Sequence, residues 1–463
     1  MMKHIVIIGG GITGLSAAFS LQNKIDQEQL PAKVTLLEAN NRLGGKIETI
    51  HRDGFTIERG PDSYLGRKPA MTELIKSLGL DHDLTYNNTG QAYILHGKKL
   101  HPMPEGAVMG IPTKLSPFVT SGLFSMKGKA RASYDLFLPK SNTSGDQSVG
   151  AFFKRRLGNE VVENLIEPLL SGIYAGNIDQ ISLKSTFPQF ENIESKHRSL
   201  ILGMKKTRQP SKKGKSSKGV FLTLKQGLSS LVDALESNLT NRIDIQTGVT
   251  VESILRKGEG YSISTLDSVI EADQVIVTTP GRNAAKFFNN EIRELIGEVP
   301  ATSVATVAMA FPESAVPKDI EGTGFVVSKK SPYTITACTW TNQKWPHTTP
   351  EGSVLLRCYV GRAHDQTIVD ESDEYILSKV LEDLEEVMGV KSEPDFYYVT
   401  RWKKAMPQYL VGHQENKDKV HSILGRDYPG VQLAGASFDG IGLPDCIVSG
   451  NQAAENVVRS LME

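Results

Sequence analysis

The chain has 463 residues, 39% of them hydrophobic, enough to bury a large core and more than one domain ordinarily holds, so two or three lobes are expected. Lys plus Arg and Asp plus Glu each number 52, a formal net charge of zero, and nothing global points to nucleic acid or to strong electrostatic attachment to a membrane. No apolar run approaches the roughly 20 residues needed to span a bilayer. Met1-Met2-Lys3 enters a strand-like segment directly, which leaves no room for a signal peptide. Cys338, Cys358 and Cys446 form no close pair along the chain, so neither a disulfide framework nor a zinc site of short ligand spacing is expected, and no metal site is assigned. A cytoplasmic setting follows, with contact at the periphery of a membrane left open.

The first element is the apolar strand of residues 4–8, which runs into Gly9-x-Gly11-x-x-Gly14 and then a helical pattern. This is the layout of a dinucleotide-binding βαβ turn: Gly9 permits the tight turn, Gly11 lets the backbone approach a pyrophosphate, and Gly14 lets helix and strand pack closely. A second strand, 33–38, ends on Glu38, 24 residues beyond Gly14, near the spacing at which an acid holds ribose hydroxyls. Arg42, Gly44 and Gly45 follow. This extension resembles the one in flavin-dinucleotide oxidoreductases of the amine oxidase type, in which the arginine and paired glycines help bind the diphosphate, and it implies FAD.

Further along, residues 54–65 read as a strand leaving the nucleotide domain through Gly60-Pro61, 69–80 as a helix closed by Gly79, and 91–103 as a hairpin. A loop-rich stretch reaches Pro139. Two helical patterns follow at 148–158 and 160–176, the second with an apolar stripe at Val161, Val162, Leu165, Ile166, Leu169, Leu170 and Ile173. Residues 195–218 hold nine Lys or Arg and no acid, the composition of a solvated loop or of an anion-facing flap. Nucleotide-domain signals return with a helix at 226–239 and strands at 242–246, 250–256 and 272–280. Alternation over 301–360 reads as an antiparallel sheet with one covered face. An amphipathic helix at 372–389, a strand at 395–402, and a closing strand, glycine loop and helix from about Pro444 complete the chain.

The fold class is therefore α/β: a discontinuous Rossmann-type FAD-binding domain with an inserted mixed-sheet substrate domain and a helical subdomain. Expected boundaries are 1–58, 220–285 and 429–463 for the FAD-binding domain, 59–85 for the crossing, 86–185 for the helical subdomain, 186–219 for the basic loop and connection, and 286–428 for the substrate domain. No second strand-linked Gly-x-Gly-x-x-Gly occurs, so nicotinamide is not expected, and reduced flavin must pass its electrons to dioxygen, a quinone or a redox protein. Gly-x-Ser-x-Gly, His-Glu-x-x-His and P-loop patterns are also missing. A helix N-terminus beside Gly440-Ile441-Gly442 could stabilise negative charge on the flavin or its phosphates.

Beyond these motifs, the segments GPDS (60–63), HPMPEGAVMGIPTK (101–114), NLIEPLLSGIYAG (164–176), TACTWTNQKWPH (336–347), RWKKAMPQY (401–409) and GASFDGIGLPDCI (435–447) together resemble the bacterial coproporphyrinogen III oxidases, a group of the protoporphyrinogen oxidase type, over essentially the whole chain. The resemblance implies an oxidase of haem biosynthesis that takes coproporphyrinogen III to coproporphyrin III in three two-electron steps, with dioxygen as acceptor and hydrogen peroxide released. It places FAD contacts on Gly9, Gly10, Gly11, Ile12, Thr13, Gly14, Glu38, Ala39, Arg42, Gly44, Gly45, Lys46, Gly60, Pro61, Asp62, Ser63, Val251, Trp402, Gly442, Leu443 and Pro444. Transient contact with a ferrochelatase is a further expectation. Hydride loss from an electron-rich macrocycle needs alignment more than a strong base, and no general base is nominated.

A tetracarboxylate substrate calls for cationic side chains to pair with propionates. Arg67 and Lys68 are the candidates, against an ordinary role as charges at a helix start, while Asp62 could orient pyrrole N–H donors or cap a turn. A protoporphyrinogen IX oxidase is the nearest alternative. An amine oxidase and a non-catalytic flavoprotein that carries porphyrin are more distant ones.

Overall fold

The computed structural model describes residues 2–462 except 89, 113–114, 142–144, 208–218, 298 and 318–320. The chain divides into two compact units, one formed by Met1–Tyr86, Val220–Val299 and Glu415–Glu463, the other by Asn87–Gly219 and Pro300–Gln414.

Runs of β-branched residues with no polar alternation, such as Ile5 to Ile8 and Val275 to Val277, make strands buried on both faces. In the first unit they form a five-stranded parallel sheet in the order Asp244–Thr247, Ala32–Glu38, Lys3–Ile8, Gln274–Val277, Val431–Leu433. Ile5 and Ile7 face one core with the helices Ile12–Glu28, Ser229–Leu239 and Leu443–Met462. Val6 and Ile8 face the other, covered by the meander Val251–Lys257, Gly260–Thr265, Val269–Ala272. The first and closing helices pack at close range because Gly450 has no side chain: a Cβ there would lie 2.3 Å from the Thr13 carbonyl oxygen. Three segments separated by long insertions thus build one nucleotide-binding sheet.

The second unit holds a seven-stranded sheet in the order Phe396–Pro407, Ala301–Pro312, Ser353–Val360, Ile335–Trp340, Gly324–Val327, Ala92–His96, Lys99–Pro102. All its pairings are antiparallel except 324–327 with 92–96, so the strands within 301–360 pair antiparallel as expected and the sheet as a whole is the expected mixed one. The helix Asp373–Met388, capped by the Ser372 hydroxyl, buries Ile376, Val380 and Leu384 against this sheet. Val149–Leu157 is likewise capped by Ser148. The expected helix over 160–176 forms over 159–174 with a π-helical turn at Val162–Ile166.

Several expectations are corrected. Residues 54–65 are not one strand: Phe55–Glu58 pairs back on Thr49–Arg52, and Tyr64–Leu65 is a separate short strand beyond Gly60-Pro61. The loop-rich stretch before Pro139 contains the helices Leu115–Thr120 and Met126–Ser133. The segment expected as a basic loop is helical at Pro188–His197 and Leu200–Thr207, where Phe190, Leu200, Ile201 and Met204 supply an apolar face among the lysines. Residues 208–218 lie outside the described residues. Cys338 and Cys358, far apart in sequence, face each other across two antiparallel strands, both buried and both free thiols. Burial and the neighbouring Cys338 thiol push the Cys358 pKa up, which keeps it protonated and unreactive.

Candidate functional site

The glycine loop shows why each glycine is needed. Gly9 adopts φ +111°, and a Cβ on it would lie 2.6 Å from the Thr278 hydroxyl. A Cβ on Gly14 would lie 1.9 Å from the Gly9 carbonyl oxygen, so helix and strand meet only through a bare Cα. A Cβ on Gly11 would meet nothing within 4 Å. Gly11 therefore faces open space directly ahead of Ile12–Glu28, whose first turn has no side-chain cap, the arrangement that receives an anion. Ile12 and Thr13 are buried in that turn.

Glu38 ends its strand buried beside this loop. One carboxylate oxygen accepts from the Gly10 N–H at 2.6 Å, and the other accepts from the Asn40 N–H at 2.8 Å and the Asn40 amide at 2.6 Å. These three bonds leave further acceptor capacity on a carboxylate. Ala39 follows, exposed. The chain around Val251 runs alongside, with the Val249 N–H on the Glu38 carbonyl at 2.9 Å.

The turn at Gly44 and Gly45 is joined to the loop by the Gly44 N–H on the Gly10 carbonyl at 2.8 Å. The Arg42 guanidinium holds that turn, donating to the carbonyls of Leu43, Gly45 and Ile47 and to Glu48. Its charge thus shapes the turn from behind. Lys46 is exposed, yet loss of solvation lowers its ammonium pKa, opposed by Cys446 and reinforced by Arg282.

Gly60, Pro61, Asp62 and Ser63 follow the short hairpin, all half-buried, with the Ser63 hydroxyl donating to Asp62 at 2.7 Å. Arg67 is exposed, with no ion pair among the described residues. Lys68 is paired: its ammonium donates to both carboxylate oxygens of Asp445 at 2.6 Å. Asp445 lies in the first turn of the closing helix beside Gly442, Leu443 and Pro444. Cys446, next along, is buried, with its thiol pKa pushed up to about 11 by burial and lowered only in part by the Thr13 hydroxyl and Lys46. The starts of the first and closing helices thus converge through Thr13 and Cys446. All these residues belong to the first unit; Trp402 belongs to the second, half-buried on Phe396–Pro407 opposite Val304.

An uncapped helix start facing open space beside a buried acidic strand end is a dinucleotide-binding turn, and comparison with known proteins identifies its type. The model of the flavin containing amine oxidoreductases matches residues 12–458. The chain belongs to that family. It is 53% identical to coproporphyrinogen III oxidase of Bacillus subtilis over 99% of the chain and 98% of that protein, and 46% identical to coproporphyrinogen III oxidase of Staphylococcus aureus over the full length of both. Protoporphyrinogen oxidase of Bos taurus is 29% identical over 99% of each chain. A solved Exiguobacterium structure named as a protoporphyrinogen oxidase superposes with a TM-score of 0.90 at 41% identity, covering 99% of both chains. The chain is a flavin-dependent oxidoreductase, and FAD is its cofactor.

The site fits FAD: the open side of Gly11 and the uncapped helix start suit a diphosphate, and Glu38 suits a ribose. In the second unit two of the segments that carry the resemblance touch each other. The Gln408 amide donates to the Tyr174 carbonyl at 2.8 Å, and a Cβ on Gly176 would lie 1.9 Å from the Gln408 side-chain oxygen. The sequence reasoning missed this pair and Asp445. The Lys68–Asp445 partners are 377 positions apart, and no local pattern signals such a contact.

Proposed function

We propose that this chain oxidises coproporphyrinogen III to coproporphyrin III in haem biosynthesis, consuming three dioxygen molecules and releasing three hydrogen peroxide molecules per macrocycle. The observation that carries the reading is full-length identity of 53% and 46% to two oxidases named for coproporphyrinogen, against 41% to the Exiguobacterium structure and 29% to the bovine protein named for protoporphyrinogen. Bound FAD supplies the hydride acceptor.

The chain's own residues hold and orient. The loop from Gly9 to Gly14 and the turn at Gly44 and Gly45 cradle the diphosphate, with Arg42 holding the turn in shape. Glu38 takes ribose hydroxyls, with Ala39 and Val251 beside it. Lys46, the residues Gly60 to Ser63, Trp402 and the loop Gly442 to Pro444 border the flavin. Arg67, exposed and without an ion pair among the described residues, pairs with a propionate, and the Asp62 carboxylate accepts from pyrrole N–H groups. Dioxygen as acceptor and transient delivery of product to a ferrochelatase complete the proposal.

Oxygen uptake and porphyrin fluorescence with coproporphyrinogen III and protoporphyrinogen IX, supplied separately, test it. Higher kcat/KM on the four-propionate substrate, with an Arg67→Ala variant losing about tenfold in that preference, is expected. Higher kcat/KM on protoporphyrinogen IX overturns the substrate assignment, and porphyrin binding without oxygen uptake points to a carrier.

No helix among the described residues is long and apolar enough to cross a membrane. Contact at a membrane surface is proposed for the face of Met126–Ser133 and the turn after it. Met126, Tyr134 and Phe137 there are 74%, 54% and 71% exposed, and residues 115–134 hold three cations and no acid.

A further inference from the structure

Lys68 and Asp445 meet at the edge of the flavin site. The ammonium bridges both carboxylate oxygens at 2.6 Å, with the side chains 39% and 29% exposed. Asp445 is the third residue of the closing helix, and its N–H donates to the Gly442 carbonyl at 2.9 Å. The glycine loop wraps the carboxylate so closely that a Cβ on Gly440 would lie 2.8 Å from the Asp445 Cβ, and one on Gly442 would lie 2.9 Å from a carboxylate oxygen. Lys68 itself directly precedes the helix Pro69–Ser77, which packs on the closing helix.

A carboxylate in a first helical turn is stabilised by the positive end of the helix, but it also cancels the potential with which that end holds another anion. We infer that Lys68 is a positioning residue that neutralises Asp445, so that the start of the closing helix remains available to negative charge on the reduced flavin. The inference rests on the flavin site proposed above. It also separates the two neighbouring cations. A propionate on Lys68 would have to displace Asp445 and leave a part-buried carboxylate unpaired, whereas Arg67 has no such competitor among the described residues.

The test uses the full-length, FAD-loaded protein and the variants Lys68→Met, Lys68→Arg, Asp445→Asn and Lys68→Met/Asp445→Asn. Flavin midpoint potential by dye equilibration, FAD dissociation constant and melting temperature are read for each. Lys68→Met is expected to make the flavin harder to reduce and to weaken FAD binding about twofold to fivefold. Lys68→Arg and the double variant are expected to recover both. Two results overturn the inference: a raised KM for coproporphyrinogen III at unchanged potential with no recovery in the double variant, or a lowered melting temperature alone. A wild-type protein that fails to hold FAD would instead refute the flavin site itself, and a Lys68→Met variant that does not fold leaves the Asp445→Asn potential, expected at or above wild type, to decide.

Discussion

At the scale of single residues, the glycine loop separates what the fold needs from what the ligand needs. Gly14 has no room for a Cβ, which would lie 1.9 Å from the Gly9 carbonyl oxygen, whereas Gly11 has φ −72° and open space on its Cβ side. Gly14→Ala forces the backbone of the first helix apart from its strand, a clash of a kind that costs about 1–3 kcal/mol. It is expected to lower the melting temperature of the apoprotein and to reduce FAD loading. Gly11→Ala is expected to leave apoprotein melting unchanged and to weaken FAD binding about tenfold or more, since its methyl would occupy space that a diphosphate enters. Calorimetry of both apoproteins beside flavin titrations checks the contrast. Equal melting losses in the two variants would mean that Gly11 serves the fold and not a ligand.

At the scale of elements, the helices of the second unit are joined by a buried ion network. Arg156, fully buried, donates to Asp135 at 2.5 Å, to Glu194 at 3.2 Å and to the Pro139 carbonyl at 3.0 Å. Asp135 in turn accepts from the Ser199 hydroxyl at 2.6 Å and the Ile201 N–H at 3.0 Å. One guanidinium thereby ties Val149–Leu157 to the turn after Met126–Ser133, to Pro188–His197 and to the start of Leu200–Thr207. Arg156→Met removes the cation from the buried Asp135 carboxylate, while Glu194 keeps the Arg155 guanidinium at 2.8 Å, a loss of about 3–5 kcal/mol. Urea unfolding followed by circular dichroism measures it, and a loss below about 1 kcal/mol would show the network to be solvated in solution.

At the scale of the whole molecule, a net charge of zero gives no long-range attraction to an anionic surface, so the proposed membrane contact would depend on the local face at Met126, Tyr134 and Phe137. Vesicles of anionic phospholipid are expected to co-sediment the wild-type protein. Met126→Ser/Phe137→Ser is expected to lower that affinity about tenfold, through lost apolar burial alone, with kcat on dispersed substrate unchanged. No co-sedimentation of the wild-type chain would refute the contact.

Much of the first unit was legible in the sequence because its signals are local. The βαβ turn depends on glycines two and three residues apart, and buried parallel strands appear as unbroken apolar runs. In the second unit the helical patterns beginning at Ser148 and Ser372 were legible too, and each serine accepts from the N–H three residues on. The presence of FAD and the family followed from the same short segments. Contacts that join distant parts of the chain were decided only by tertiary structure. Register across Ile335–Trp340 and Ser353–Val360 brought Cys338 opposite Cys358, docking of the closing helix turned Lys68 toward Asp445, and burial of an apolar face turned an expected basic loop into helices up to Thr207. Composition and local spacing carry backbone preferences, but they do not carry the distance between residues hundreds of positions apart. That distance is set by packing, which determines whether a charge faces solvent, a ligand or a partner.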